Sequence, residues 1–232
     1  SVYLICFIVL NDNFSFLIHF MEKSMFVNYF FKKKSGNSLV CLLFLTLIIF
    51  SPNIMAIEEP DFDVLQAEAS FELREYKKFI IAETELNGSF DSASRKGFRR
   101  VASYIFGGNK GLDGSSEKIQ MTAPVTVTPD KSNWKLHFVM PKNYSLSDLP
   151  IPNDKNVKIR AVPAHQAAVV IFSGWTTEAK LNKKASELEL WIKKLGLKVM
   201  GPVQVARYND PFTLPWLRRN EIIVQVRQPR AN

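Results

Sequence analysis

The fold is decided by the stretch FELREYKKFIIAETEL, residues 71–86, because the chain repeats its pattern 86 residues later. Its β-branched and aromatic residues favour extended structure, and the turn signal Asn87-Gly88 ends it. The later copy, VKIRAVPAHQAAVVIF, occupies residues 157–172 and ends at Ser173-Gly174. The shift pairs the glycines of the two turns, which predicts an internal duplication.

A helix pattern follows each copy. The first helix is predicted to have Asp91 as its N-cap and to end at Gly107-Gly108. Its apolar stripe consists of Phe98, Val101, Ala102 and Ile105. The second helix is predicted from about Glu178 to Leu195, because lysines occupy its last turn and Gly196 follows as C-cap.

Two strands are predicted after each helix. In the first half, apolar and polar residues alternate over 119–128 and again over 134–140. In the second half, residues 198–208 and 221–227 are rich in strand-forming residues. Two strand–helix–strand–strand units naturally close one antiparallel sheet or barrel with both helices packed outside it. The sequence therefore predicts an α+β fold, a distorted antiparallel β-barrel with two flanking helices.

The first 56 residues are typical of a targeting segment. Lys32-Lys33-Lys34 forms a basic cluster, residues 39–50 form an apolar run, and a polar break then ends on Ala56. This order is typical of a secretory signal peptide, and the run is shorter than the roughly 20 residues that a membrane span needs. We expect secretion or export to the periplasm. The alternative is an uncleaved leader that anchors the protein in a membrane.

Residues 57–232 are expected to form one folded domain. They are numerous enough to bury a sizeable core, and they carry a net charge of +6 out of +8 for the whole chain. Residues 1–24 fit neither the signal peptide nor the domain, so we expect Met21 or Met25 to be the true start. The residues before it are then an over-extended reading frame or a leader.

The composition excludes several kinds of site from the predicted domain. Both cysteines, Cys6 and Cys41, lie in the leader, so the domain has no disulfide, thiolate nucleophile or Cys-ligated metal. It contains no G-x-S-x-G, H-E-x-x-H, P-loop or dinucleotide motif, so we expect no enzyme and no metal site. Its mixed charges argue against nucleic-acid binding. We expect a monomer that contacts a membrane only through an uncleaved leader.

Four separated motifs resemble the SOUL haem-binding protein family. In chain order they are Leu73-Arg74-Glu75-Tyr76, Tyr104-Ile105 with Gly107-Gly108-Asn109, Glu117-Lys118-Ile119-Gln120-Met121-Thr122-Ala123-Pro124-Val125, and Tyr208-Asn209-Asp210-Pro211 with Arg218-Arg219-Asn220-Glu221. The resemblance runs from about residue 71 to residue 226. It implies a distorted β-barrel with two flanking helices, which binds haem or other tetrapyrroles. It also implies similarity to a bacterial domain that holds lipophilic, often cationic, small molecules.

The resemblance implies a binding site on the first helix. In the family's haem-binding members, a shallow apolar groove runs along this helix and an arginine pairs with the propionates. Alignment on the helix end assigns the arginine to Arg95 and the groove to Phe98 and Ala102, which share one helical face. An arginine beside an apolar stripe suits a flat apolar ring with carboxylates at one edge. The alternative is that Phe98 and Ala102 only pack on the sheet while Arg95 is solvated.

The iron ligand stays open. One branch of the family has a histidine proposed as ligand where this chain has Glu75. We expect neither His137 nor His165 to bind iron, since a lone histidine is usually structural. Haem or another tetrapyrrole is therefore predicted to bind non-covalently, through groove contacts and carboxylate pairing. The alternative function is an interaction or structural module of the same fold, or a binder of other lipophilic molecules.

A loop rich in proline and aromatic residues precedes the last strand. It spans residues 209–220 and contains Pro211, Phe212, Pro215 and Trp216. The loop is predicted either to fold over the groove as a lid or to cover a sheet edge.

Overall fold

The computed structural model describes residues 57–130 and 132–229. The predicted leader, residues 1–56, lies outside them. The strands are β1 (Phe62–Glu68), β2 (Phe71–Tyr76), β3 (Phe79–Leu86), β4 (Asn109–Lys110), β5 (Val125–Asp130), β6 (Asn133–Val139), β7 (Ile151–Pro152), β8 (Val157–Val162), β9 (His165–Phe172), β10 (Lys198–Val199), β11 (Gln204–Arg207) and β12 (Asn220–Arg227). The helices are α1 (Phe90–Ile105), α2 (Glu178–Lys194) and the 3-10 helix Pro215–Leu217.

All the long strands join one curled antiparallel sheet. Its order is β1-β2-β9-β12-β11-β5-β6-β3-β8, and β10 pairs with β12 beside this path. The short strands β4 and β7 form a separate ladder. Val127 of β5 and Val205 of β11 are direct partners, and they pack beneath α1 and α2 respectively, so both helices cover the same face. The predicted α+β fold is confirmed, with a sheet that closes about half of a barrel.

The sheet order confirms the internal duplication. Without β1, the order β2-β9-β12-β11 is followed by the counterparts of these strands in reverse, β5-β6-β3-β8. The register repeats too. Tyr76 pairs with His165 between β2 and β9, and Val162 pairs with Phe79 between β8 and β3. These two pairs are equivalent under the 86-residue shift, so an approximate twofold axis passes between β11 and β5.

The helices bury their apolar faces against different strands. α1 lies on β3 and β6, and α2 lies on β9 and β12. Gly97 lets α1 approach closely, because a Cβ atom there would stand 2.4 Å from Leu86 Cδ1 and 2.9 Å from Leu136 Cβ. Beneath α2, Leu188 and Trp191 are buried in a second core. Full burial of each such side chain stabilises the fold by roughly 1.5–3 kcal/mol.

The opposite, concave face of the sheet contains a buried charged network. Arg74 and Glu221 are 1% and 0% exposed, and Arg74 Nη1 lies 3.0 Å from Glu221 Oε2. Arg74 also donates to the Tyr76 hydroxyl, and Tyr208 donates to Glu221 at 2.7 Å. Arg219 Nη2 completes the network at 2.8 Å from Glu221 Oε1. The network joins β2 to β12 across the intervening β9.

The first described residues cover this network. Arg219 Nη1 donates to Glu59 at 3.0 Å, and Arg74 Cζ lies 4.1 Å from the ring centroid of Phe62. Glu58 accepts hydrogen bonds from the backbone amides of Ala123 at 2.9 Å and Lys142 at 2.6 Å. The folded contacts therefore begin within two residues of Ile57.

Two predicted elements differ in the structure. The N-cap of α1 is Ser89, whose side chain accepts from the Ser92 amide at 3.4 Å, and Asp91 instead lies in the first turn. The alternating stretch 119–124 is not a strand. Proline at position 124 has no amide to donate to a ladder, and the Ile119 amide bonds to the Ile105 carbonyl at 2.8 Å instead. The strand begins only at Val125.

The edge strand β1 was not predicted from the sequence. Six of its seven residues are exposed, so it lacks the alternation of a half-buried strand. Its pairing with β2 is shifted between Val64 and Gln66. Such a bulge disturbs the free edge and discourages pairing with another chain.

Candidate functional site

The three predicted site residues share one side of α1. Arg95 is exposed, Phe98 is 36% exposed and Ala102 is 8% exposed. The Phe98 ring contacts Phe138 of β6, with centroids 5.3 Å apart and planes inclined at 53°. One part of the Phe98 ring is therefore anchored on the core, while the rest stays open to solvent. The role of Arg95, Phe98 and Ala102 in ligand binding stays a prediction.

The other side of α1 is closed by polar contacts. Arg100 Nε pairs with Asp154 at 2.9 Å, and Arg100 Nη1 donates to the Thr84 hydroxyl of β3 at 3.2 Å. This side therefore faces β3 and β8. The side that carries Phe98 rests on Phe138 of β6, and the predicted groove runs along this side.

Two buried polar atoms near this groove have no hydrogen-bond partner among the described residues. They are Ser94 Oγ and Arg207 Nε. Ser94 precedes Phe98 by about one helical turn and so lies on the same side of α1. The Arg207 guanidinium lies 4.9 Å from the ring centroid of Phe90, the first residue of α1. Buried polar groups are normally paired, so these two atoms are unusual.

Arg207 is a partly buried cation in unusual surroundings. Burial lowers the pKa of its guanidinium, the Asp91 carboxylate opposes this, and the nearby Arg218 charge lowers the pKa further. The positive charges of Arg207 and Arg218 therefore oppose each other. Such an arrangement favours an anionic ligand, since an added negative charge would relieve their repulsion.

Arg207 is a candidate site residue that the sequence analysis missed. The available signal is the alternation along β11. Val205 packs in the core beneath α2, so Arg207, two residues later, occupies the same face of the strand. A charged residue at a core-facing position is rare unless it is paired or functional. The proximity of β11 to α1 cannot be read from the local sequence.

Both histidines of the domain lie on the concave face, away from α1. His137 alternates with Leu136 and Phe138, which pack beneath α1, and burial lowers its pKa to about 4. His165 stacks on Tyr76 with ring centroids 5.5 Å apart. In the part of the chain that the structure describes, no three His, Cys, Asp or Glu side chains are grouped so as to hold a metal ion.

The loop before β12 does not bury its aromatic side chains. Phe212 is 94% exposed and Trp216 is 68% exposed, so both side chains project mostly into solvent. That the loop covers the groove or a sheet edge stays a prediction. Over residues 57–130 and 132–229, no helix is both long and apolar enough to cross a membrane.

Comparisons with solved structures find the same fold at low sequence identity. The EcmrR C-terminal domain gives a TM-score of 0.54 at 15% identity, over 68% of this chain and 98% of that chain. EcmrR in a cryo-EM complex with DNA gives a TM-score of 0.53 at 15% identity, over 82% of this chain and 65% of that chain. At such identity the likeness shows the fold alone. No curated protein sequence matches the chain.

The sequence also matches the family described as SOUL heme-binding protein, over residues 57–225. This range contains all four motifs, both helices and the whole sheet except the last two residues of β12. The chain belongs to the SOUL heme-binding protein family.

Proposed function

We propose that this protein reversibly binds haem or a related tetrapyrrole in a shallow apolar groove beside α1. The observation that carries the proposal is the half-open ring of Phe98, which is held against Phe138 and offers an apolar surface to solvent. Ala102 lies one helical turn further along the same side and is 8% exposed, and Arg95 lies about one turn before Phe98. Membership of a heme-binding family supports the same ligand class.

Two arginines are candidates for the carboxylates of the ligand. Arg95 is exposed, so its ion pair would contribute only about 0–1 kcal/mol. Arg207 is partly buried and its Nε atom has no partner among the described residues, so a carboxylate that reaches its guanidinium would form a charge-assisted pair that water screens less than that of Arg95. The fit is that of an amphiphilic anion, with an apolar plate against Phe98 and negative charge towards Arg207.

Haem would bring its own iron and ring, and the residues of this chain would bind and orient it. Apolar contact is expected to contribute most of the affinity, at roughly 25 cal/mol per Å² of covered surface. Binding through such contacts suits a carrier or buffer that takes up and releases its ligand.

Replacing His137 or His165 with alanine is expected to leave the absorption spectrum of bound haem nearly unchanged. Both side chains lie on the face of the sheet opposite α1, so neither reaches the groove. Haemin is titrated into the full chain and into each variant while the Soret band is followed. The wild type should show a saturable shift. Loss of the bound spectrum in either variant would move the site to the concave face.

We also propose that the protein is exported and loses its leader. The signal-peptide-like order of residues 32–56 supports this, as do the folded contacts of Glu58 and Glu59 directly after it. The expected N-terminus of the natural protein, determined by mass spectrometry, is therefore close to Ile57. A natural N-terminus at Met21 or Met25 would show that the leader is retained, and would favour the membrane-anchored alternative.

A further inference from the structure

Two neighbouring loops expose a group of large apolar side chains at one end of the sheet. One loop joins β9 to α2 and the other joins β11 to β12. We propose that this group, the aromatic loop surface, docks the protein on an anionic phospholipid bilayer. It consists of Trp175, Phe212, Leu214, Trp216 and Leu217. The proposal does not depend on the tetrapyrrole site, and it goes beyond the expectation that only an uncleaved leader contacts a membrane.

The fold itself does not require this surface. Under the approximate twofold symmetry, the β11–β12 connection corresponds to the β5–β6 connection. β5 ends at Asp130 and β6 begins at Asn133, so the first half makes this connection with two residues. The second half ends β11 at Arg207 and begins β12 at Asn220, which leaves twelve residues for the same step. The longer loop and its apolar side chains are therefore an addition to the duplicated unit.

The apolar side chains of the surface project into solvent. Phe212 is 94% exposed, Trp216 68%, Leu217 64%, Trp175 60% and Leu214 49%. Single exposed apolar residues are ordinary on protein surfaces, but contiguous apolar patches usually mark an interaction site. Phe212 makes almost no contact with its own chain, so its exposure contributes nothing to folding.

Hydrogen bonds hold these loops in place. The Gly174 amide donates to the Pro215 carbonyl at 2.8 Å, which joins the two loops. Asp210 accepts from the Phe212 amide at 2.7 Å and from the Thr213 hydroxyl at 2.9 Å. Arg218 donates to the Thr213 carbonyl at 2.8 Å and to the Pro211 carbonyl at 2.7 Å. The exposed side chains are thus displayed by an ordered loop.

The residue types favour a bilayer as the partner. Tryptophan is enriched where membrane meets water, because its ring is apolar and its N–H is polar. A nearly fully exposed ring such as Phe212 would be surrounded on all sides by acyl chains, whereas a folded partner would need a matching pocket. Apolar residues that enter the headgroup boundary, with cations behind them, are the pattern of interfacial membrane binding.

The cations lie directly behind the apolar tips. The Arg218 guanidinium lies 4.4 Å from the ring of Trp175, and Lys180 Nζ donates to the Ser173 carbonyl at 2.7 Å. Asp210, the acidic residue of the β11–β12 loop, accepts hydrogen bonds from its own loop. The net charge of the whole chain is +8. An anionic lipid surface attracts such a cluster at about 1 kcal/mol per basic residue.

Quenching of tryptophan fluorescence by brominated lipids tests the proposal. The full chain is mixed with vesicles of phosphatidylglycerol and phosphatidylcholine brominated on their acyl chains. We expect strong quenching in the wild type, and loss of most of it in the double variant Trp175→Phe, Trp216→Phe. The matched control is Trp134→Phe, which removes a half-buried tryptophan beside Phe90 and should leave the quenching unchanged. All variants keep the leader, so their differences report on the aromatic loop surface alone.

Other outcomes would overturn the proposal. Quenching that is absent, or that survives in the double variant, would show that the surface does not enter the bilayer. Equal quenching with phosphatidylcholine alone would contradict the role of the basic residues. Self-association of the wild type that Phe212→Ser abolishes, without lipid quenching, would assign the surface to a protein interface instead.

Discussion

Replacing Arg74 with methionine is expected to lower the free energy of unfolding by about 3–5 kcal/mol. The methionine side chain fills a similar volume but leaves the fully buried Glu221 carboxylate without its Arg74 partner, at a site that is 0% exposed. Burial disfavours the charge on Arg74, but Tyr76 and Glu221 outweigh this and raise its pKa. Domains are typically stable by only about 5–15 kcal/mol, so the loss is a large fraction of the total.

The internal duplication supplies a matched control for this variant. Arg160 is the counterpart of Arg74 under the 86-residue shift, and it pairs with Glu83 through two hydrogen bonds of 2.8 and 2.9 Å. Arg160 is 50% exposed, so Arg160→Met should lower the free energy of unfolding by only about 0–1 kcal/mol. Urea denaturation of the full chain, followed by circular dichroism, compares the two. Equal losses would show that the buried network adds nothing beyond an exposed ion pair.

The sequence predicted those parts of the fold that depend on local pattern. The duplication, both helices and the last strand follow from periodicity within stretches of about 20 residues. The pattern failed at Pro124, where apolar and polar residues alternate but the chain cannot form a ladder. It also failed at β1, whose exposed residues carry no alternation because neither face is buried.

The candidate site was predictable to a similar extent. Arg95, Phe98 and Ala102 lie on one side of α1 because helical spacing alone places them there. Arg207 could not be predicted in the same way, because only the order of strands in the sheet brings β11 next to α1. The same holds for the pair of Arg74 and Glu221, which are 147 residues apart in the chain.

Replacing Phe98 with aspartate is expected to weaken haemin binding by more than about tenfold, which corresponds to about 1.4 kcal/mol. The change puts a charge into the proposed apolar floor, where contact with the tetrapyrrole ring is expected to supply most of the affinity. Phe98 is 36% exposed, so the aspartate can reach water and the fold should persist. Circular dichroism of the variant checks this.

The variant Arg95→Ala separates the charge contribution from the apolar one. Water screens the ion pair between Arg95 and a carboxylate of the ligand. Loss of this pair should therefore weaken haemin binding by less than about tenfold. Leu190→Asp serves as the control for a charge introduced on a helix, because Leu190 is an apolar residue of α2 that is 69% exposed. We expect its affinity for haemin to equal that of the wild type.

The central claim is that the groove beside α1 binds the tetrapyrrole, and haemin titration of these variants tests it most directly. The Soret band is followed for the wild type, Phe98→Asp, Arg95→Ala and Leu190→Asp, all as full chains. The account predicts a saturable shift of the Soret band in the wild type. Haemin affinity should fall by less than about tenfold in Arg95→Ala, stay unchanged in Leu190→Asp and fall by more than about tenfold in Phe98→Asp. Wild-type affinity in Phe98→Asp, or no saturable shift in the wild type, would contradict it.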